Sequence, residues 1–187
     1  FVPIYKNDKQ LEQISEVVND LRLRFDEKGI SSKFDNRETK RPGEKFAQHE
    51  IQGVPIRITI GPKDLENNSI EVFRRDTLDK QIIKIDESID FVLRLLDEIQ
   101  NNLYEKALSF RDENITEVDN FEDFKNILEN KGGFISAHWD GSDETENKIK
   151  ELTKATIRCI PDGIKNKGKC IFSGRPSNQR VLFAKAY

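Results

Sequence analysis

Hydrophobic repeats of the helix and strand types alternate along most of this chain, and that alternation restricts the fold to the α/β classes. Apolar residues recur at helical intervals over residues 10–28. Gly29 follows, as glycine commonly does just past the end of a helix. Residues 55–60 alternate as a strand, with Arg57 and Thr59 on the face opposite the isoleucines. The pattern predicts a mixed sheet flanked by helices.

The remaining repeats predict two units of this kind. The first adds strands at 1–5, 32–34, 70–75 and 81–85 and helices at 42–52 and 88–111. The second adds helices at 121–130 and 143–152 and strands at 133–139, 156–160 and 181–184. The first unit then has the order β-α-β-α-β-β-β. We expect one α/β domain over residues 1–102, a helical connector over 103–114 and a second small α/β domain over 115–187.

The charge balance argues against general affinity for nucleic acid. The net charge is −3, and residues 1–86 carry as many acidic as basic side chains. Any contact with RNA must therefore use a local patch. No apolar run reaches the roughly 18–20 residues of a membrane-spanning helix. With two cysteines and no apolar leader, we expect a reduced, cytoplasmic protein without membrane contact. Because the chain begins at Phe1, we also expect it to be part of a longer protein.

One local patch is distinctive: four cations surround the start of the predicted helix at 42–52. They are Arg37, Lys40, Arg41 and Lys45. Clustered cations and helix N-termini both suit phosphate. Phe46 and Glu50 are four residues apart and share one helix face. An aromatic ring can stack an unpaired base, worth about 1–3 kcal/mol, and a carboxylate can accept from the N1–H and N2–H of guanine. The alternative is that Phe46 is a core residue and Glu50 a solvated charge.

Further cations lie on the neighbouring strands and could add donors to this patch. They are Arg57, Arg74, Arg75 and Lys80, and the alternative for each is a solvated strand end. The sequence carries no phosphate-binding glycine loop, no G-x-S-x-G and no H-E-x-x-H. We expect His49 and His138 to be surface or structural residues and Cys159 to be a buried, inert thiol. By itself the chain is expected to be a binding module without catalytic residues.

The last seventy residues contain two segments with the spacing of metal ligands, but most of the ligand residues are missing. Residues 139–146 have the spacing W-C-G-x-x-x-C-E, and residues 170–174 have the spacing C-x-x-C-G. The four ligand positions hold Asp140, Thr145, Cys170 and Ser173. Tetrahedral zinc prefers thiolates and imidazoles. One thiol, one carboxylate and two neutral hydroxyls are a poor set, so we expect no bound zinc.

The motifs together resemble the prolyl-tRNA synthetases, in the form whose anticodon-binding domain is followed by a zinc-knuckle domain ending in tyrosine. The similarity covers essentially the whole chain. In the first domain it comprises Asp35-x-Arg37-x(4)-Pro42-Gly43-x-Lys45-Phe46, Gly53-Val54-Pro55-Ile56-Arg57, Gly61-Pro62-Lys63-Asp64-Leu65 and Arg74-Arg75-Asp76-Thr77. In the second it comprises Ala155-Thr156-Ile157-Arg158-Cys159-Ile160-Pro161, Gly168-Lys169-Cys170 and Phe183-Ala184-Lys185-Ala186-Tyr187.

The resemblance implies a class II ligase, expected to be a homodimer, that activates proline with ATP and Mg²⁺ and transfers it to tRNA(Pro). The catalytic core is not expected in this chain. Residues 1–102 are then the anticodon-binding domain, in which Phe46, Glu50, Arg57 and Lys80 face guanine. Residues 115–187 are the C-terminal domain with its zinc ligands largely lost, and the resemblance implies that the carboxylate of Tyr187 lies near the catalytic site. The alternative is a freestanding RNA-binding accessory protein with the same fold.

Overall fold

Two four-stranded sheets flanked by helices organise the residues that the structure describes. This computed structural model describes residues 1–163 and 166–186. The chain separates into two compact units, Phe1–Glu105 and Lys106–Tyr187. The division falls inside one long helix, Ser88–Glu113, so most of the segment expected as a connector is helical. The α/β fold class expected from the sequence is confirmed.

The first unit carries helices on both sides of its sheet. Its elements are β1 (Val2–Pro3), α1 (Asp8–Glu27), α2 (Pro42–Ile51), β2 (Ile56–Ile60), α3 (Pro62–Glu66), β3 (Ser69–Arg74), β4 (Lys80–Lys84) and α4 (Ser88–Glu113). The strand order is β1-β2-β3-β4, with β1 parallel to β2 and the other pairs antiparallel. The first helix begins where the Asn7 side chain accepts from the Gln10 amide at 3.0 Å.

One face of this sheet forms the core with α1 and α4. Each helix presents a buried apolar stripe at helical spacing, as the sequence predicts. The stripes pack against Ile58, Ile60, Ile70 and Val72 of the sheet. The other face of β2 carries Arg57 and is left for the short helix α2. The helices at 10–28, 42–52 and 88–111 and the hairpin at 70–85 are confirmed.

Two expectations for the first unit are wrong. No strand forms at 32–34, because its backbone bonds involve Phe1 alone. The Phe1 ammonium donates to the carbonyl of Lys33 at 2.7 Å, the Asp35 amide donates to the carbonyl of Phe1 at 2.9 Å, and no ladder follows. The helix α3 was not expected, since five residues are too few for a periodic pattern. It is set by Asp64, whose carboxylate accepts from the Gly61 amide at 2.7 Å. The observed order is therefore β-α-α-β-α-β-β.

The second unit combines a four-stranded sheet with a helix pair. Its elements are β5 (Ile115–Glu117), α5 (Phe121–Asn130), β6 (Phe134–His138), α6 (Asp143–Thr153), β7 (Ala155–Cys159), β8 (Gly168–Lys169), β9 (Pro176–Ser177) and β10 (Arg180–Lys185). The strand order is β5-β6-β10-β7, and β8 pairs with β9 separately. Its core includes Phe124, Ile135, Ile149, Val181 and Phe183. The predicted helices and the three predicted strands of this unit are confirmed.

The expectation of a buried Cys159 is wrong. Its strand, β7, is an edge strand of the second sheet, and Cys159 is exposed at its end. His138 is a buried structural residue, with Nδ1 3.2 Å from the hydroxyl oxygen of Ser177. Among the described residues, no helix is both long and apolar enough to cross a membrane.

Candidate nucleic-acid interface

The centre of the candidate site is an arginine held between two aromatic rings. Arg57 of β2 and Phe73 of β3 are partners across the antiparallel pair, so their side chains leave the same face of the sheet. The guanidinium carbon of Arg57 lies 3.7 Å from the ring centroid of Phe46, on α2, and 4.2 Å from that of Phe73. Both distances are well inside the range of a cation–π contact. The Arg57 side chain is only 8% exposed, so its position is set by the protein.

Glu50 completes this arrangement from the same face of α2 as Phe46. Arg57 Nη1 donates to Glu50 Oε1 at 2.9 Å. The Glu50 side chain nevertheless remains 42% exposed, and it makes no second hydrogen bond to another described residue. Phe46 is half-buried. Phe46 is therefore neither a core residue nor fully exposed, and Glu50 is not simply a solvated charge. One carboxylate oxygen of Glu50 is bound by Arg57, and the other is available to a ligand.

Two arginine nitrogens at this face are buried without a hydrogen-bond partner among the described residues. They are Nε of Arg57 and Nε of Arg75. A buried donor that lacks an acceptor costs stability. Arg75 is otherwise tied to the strand, because its amide donates to the carbonyl of Pro55 at 3.0 Å. Nε of Arg22 and Nε of Arg180, which lie on other elements, are unpaired in the same way, so these donors do not by themselves mark a binding site.

A buried carboxylate, Asp35, lies beneath the cations at the start of α2. Arg37 donates to both of its oxygens, from Nε to Oδ1 at 2.7 Å and from Nη2 to Oδ2 at 2.6 Å. His49 Nε2 lies 2.7 Å from Oδ2. Hydrogen bonding from Arg37 outweighs burial and, with His49, holds the pKa of Asp35 well below its usual range. Lys45 is buried beside them and donates to the Asp35 carbonyl at 3.1 Å, and burial lowers its pKa.

The cations that stay at the surface form what we call the cationic ledge, consisting of Arg37, Lys40 and Arg41. Arg37 is 37% exposed, and Lys40 donates to Gln48 Oε1 at 2.9 Å. Arg41 is exposed, and its amide donates to the Glu44 carboxylate at 2.8 Å. The N-terminus of α2 is thus already capped by an anion of its own. Exposed side chains, and not the helix terminus, are the groups that the ledge offers to phosphate.

The hairpin cations are engaged within the protein. Arg74 donates to both carboxylate oxygens of Asp76, at 2.8 and 2.7 Å. Asn102 of α4 donates to the same carboxylate at 2.5 Å, which ties the hairpin to that helix. The hydrogen bonds from Arg74 lower the pKa of Asp76 despite burial. Lys80 is exposed and pairs with Glu71 at 3.2 Å. Arg74 therefore acts as a structural tie, while Lys80 remains accessible at the strand end.

The four zinc-ligand positions of the second unit lie together but offer unsuitable donors. Asp140 Oδ2 accepts from the hydroxyls of Thr145, at 2.9 Å, and Ser173, at 2.6 Å. The Ser173 amide points at the sulfur of Cys170 at 3.5 Å. A single thiol beside a carboxylate and two hydroxyls does not fit zinc. Among residues 1–163 and 166–186, no group of three or more His, Cys, Asp or Glu is placed to hold a metal ion. Tyr187 lies outside the described residues.

One residue and one contact of the candidate interface have no counterpart in the sequence-based expectations. Phe73 could have been found, because the antiparallel pairing of β2 with β3 places it opposite Arg57 on the same face. The contact between Asp35 and His49 has no sequence signal, since the two residues are 14 positions apart in a loop and a helix.

Comparisons with known proteins identify both units. The family described as "Anticodon binding domain" matches residues 1–95, and the one described as "Prolyl-tRNA synthetase, C-terminal" matches residues 121–187. The chain belongs to the prolyl-tRNA synthetase family. The resemblance read from the motifs is confirmed, and the chain carries the anticodon-binding and C-terminal domains of that family.

Individual members of the prolyl-tRNA synthetase family match over the whole chain. The proline--tRNA ligase of Christiangramia forsetii is 57% identical over 187 residues, and that of Flavobacterium psychrophilum is 58% identical. In each case the match covers 100% of this chain and 38% of the ligase, so the chain spans well under half the length of these curated relatives. The crystal structure of prolyl-tRNA synthetase from Cryptosporidium parvum, complexed with L-proline and AMP, is similar with a TM-score of 0.87 and 31% identity. That match covers 100% of this chain and 40% of the other.

Proposed function

We propose that this chain is the part of a proline–tRNA ligase that reads the anticodon of tRNA(Pro). The observation that supports it best is the pair of Arg57 and Glu50, fixed beside the half-buried ring of Phe46. Guanine presents an acceptor at O6 and donors at N1 and N2 along one edge. An arginine donor and a carboxylate acceptor, 2.9 Å apart, complement that edge. Proline anticodons contain two adjacent guanines.

The proposed role of each side chain follows from those of its atoms that are not already engaged within the protein. Glu50 is proposed to accept from guanine with its unengaged oxygen, while Arg57 holds the other oxygen and offers the N–H groups at the end of its guanidinium, since its Nε is buried. Phe46 has one face against Arg57, so it supports a base with its exposed edge rather than as a two-sided platform. The cationic ledge is proposed to contact the RNA backbone, with Lys80 as a more distant donor. Lys45 and Arg74 are proposed to shape the surface from within.

The whole polypeptide is proposed to use ATP and Mg²⁺ to activate proline and to ligate it to tRNA(Pro), as a cytoplasmic homodimer. This part of the proposal rests on the match of the whole of this chain to part of the proline--tRNA ligases. Aminoacylation by the complete polypeptide separates it from the freestanding RNA-binding alternative. Incorporation of proline into tRNA(Pro) supports the ligase, and RNA binding without any ligation supports the alternative.

The anticodon role is tested by replacing Glu50 with Gln and titrating labelled anticodon stem-loops by fluorescence anisotropy. The amide keeps the shape but loses the charge, and hydrogen bonds to charged groups contribute about 1.5–3 kcal/mol. Affinity for the proline anticodon should therefore fall roughly 10- to 100-fold. The exposed Glu66→Gln variant, on α3, is the matched control and should bind like the wild type.

A second stem-loop, with inosine replacing each anticodon guanine in turn, locates the contact. Inosine lacks the N2 amino group, so the wild-type chain should lose more affinity on this substitution than the Glu50→Gln variant does. An equal loss for every anticodon, or none, would contradict the role given to Glu50.

A further inference from the structure

The second unit carries an acid-centred cluster at the positions where a zinc knuckle would hold its metal. Asp140 precedes α6, and its carboxylate is 3% exposed. Oδ1 accepts from the amide of Ser142 at 3.1 Å and from its hydroxyl at 2.8 Å. Oδ2 accepts from the hydroxyls of Thr145 at 2.9 Å and Ser173 at 2.6 Å. A carboxylate has about four lone-pair positions, and here all of them are used.

This cluster reverses the charge pattern of a zinc knuckle. In a knuckle a central cation is surrounded by electron-pair donors. Here a central anion is surrounded by four hydrogen-bond donors, which are the amide of Ser142 and the hydroxyls of Ser142, Thr145 and Ser173. Burial would raise the pKa of Asp140, but hydrogen bonds from Ser173, Ser142 and Thr145 together outweigh it and lower the pKa to about 2. The carboxylate is thus a permanent charge at neutral pH.

The cluster also joins the segments that a metal would join. The bond from Ser173 to Asp140 spans 33 positions and connects the turn before α6 to the turn after β8. Beside it, the amide of Ile171 donates to the carbonyl of His138 at 3.1 Å. Phe172 packs edge-on against Phe121 of α5, with ring centroids 5.1 Å apart. The hydrogen bond from Ser173 and the ring contact of Phe172 therefore hold the same turn in place.

We propose that the Asp140 carboxylate replaces the zinc ion as the link between these two turns, so that the C-terminal unit folds and stays folded without metal. A zinc ion entering this site has to displace four hydrogen bonds and meets two neutral hydroxyls that compete poorly with water. The inference concerns the second unit alone and does not depend on how the first unit binds RNA.

The first test compares Asp140→Ala with Asp162→Ala, which removes an exposed carboxylate in the same unit. Thermal unfolding is measured with and without a chelator, and zinc in the purified chain is measured by mass spectrometry. We expect no stoichiometric zinc in the wild type and no shift with the chelator. Loss of charged, buried hydrogen bonds should lower the midpoint for Asp140→Ala by roughly 10 °C, while Asp162→Ala should shift it by less than about 2 °C.

Amide hydrogen exchange distinguishes a local effect of Asp140→Ala from a global loss of structure. Exchange at Ser142 and Ser173 should accelerate more than exchange in β6 and β10, because the link closes those two turns. Stoichiometric zinc in the wild type, a lower midpoint with the chelator, or equal effects of Asp140→Ala and Asp162→Ala would each overturn the proposal.

The second test rebuilds the metal site. The triple substitution D140C/T145C/S173C, together with the native Cys170, places four thiols on positions that already converge. We expect this variant to bind about one zinc ion per chain and to become sensitive to the chelator. The same variant with Cys170→Ser is the control and should bind zinc more weakly. Failure of the four-thiol variant to bind zinc would show that these positions do not reproduce a metal site, and the replacement would be refuted.

Discussion

Replacing Phe73 with leucine tests whether the second ring sets the position of Arg57. Leucine keeps most of the apolar volume but removes the aromatic face that lies 4.2 Å from the guanidinium carbon. A desolvated cation–π contact contributes about 1–2 kcal/mol. If Arg57 must be held in place to bind guanine, that loss corresponds to roughly 5- to 30-fold weaker binding of the proline anticodon stem-loop.

The measurement combines anisotropy titration with urea unfolding, so that binding and stability are read separately. Ile70→Val is the matched control, because Ile70 lies in the same strand, on the core face, and is fully buried. It should reduce the free energy of unfolding by about 0.5–1.5 kcal/mol without weakening RNA binding. The reasoning is refuted if Phe73→Leu binds RNA as tightly as the wild type, or if Ile70→Val weakens binding equally.

Two further predictions concern stability. Gly168→Ala should lower the free energy of unfolding by about 1–3 kcal/mol, because a Cβ there would clash with Nε2 of the buried His138 at 2.3 Å. Gly43→Ala, in α2, has no neighbour within 4 Å of the added Cβ and should raise the free energy of unfolding by about 0.5–1 kcal/mol. Urea denaturation of both variants checks the pair, and effects of the same sign would contradict it. Asp35 and Asp76 have lowered pKa values, so the stability they contribute is present above the ordinary carboxyl pKa of about 3.9 and is lost as the pH falls below it. The free energy of unfolding should therefore fall less steeply between about pH 5 and pH 2 in Asp35→Asn than in the wild type, and identical slopes in urea titrations would argue against this.

The sequence predicts the long elements of this chain well, because their periodic patterns are strong. The helix at 10–28 and the strand at 55–60 each repeat at the period of their structure, and both are observed within two residues of the predicted bounds. The short elements have no such signal. The helix Pro62–Glu66 has less than two turns, and the segment at 32–34 bonds with Phe1 alone, which does not make a ladder.

Side-chain roles were harder to predict, because they depend on partners from separate elements. The sequence indicates Phe46, Glu50 and Arg57 for what each could offer to a guanine, and the structure brings all three together. Their connection to one another, however, arises from the packing of α2 over the sheet. The burial of Lys45 under its own helix, against the carbonyl of Asp35, is equally invisible in a linear pattern of charges.

The buried carboxylate beneath the cationic ledge has a consequence for how fast this surface meets RNA. Asp35 cancels part of the positive charge of Arg37 inside the protein, and the chain as a whole carries a net charge of −3. An approaching polyanion therefore feels little long-range attraction, and association should stay near the unsteered range of about 10⁵–10⁶ M⁻¹ s⁻¹. Correct and incorrect anticodons then arrive at similar rates. Under the proposed function, they are then told apart by how long each one stays bound.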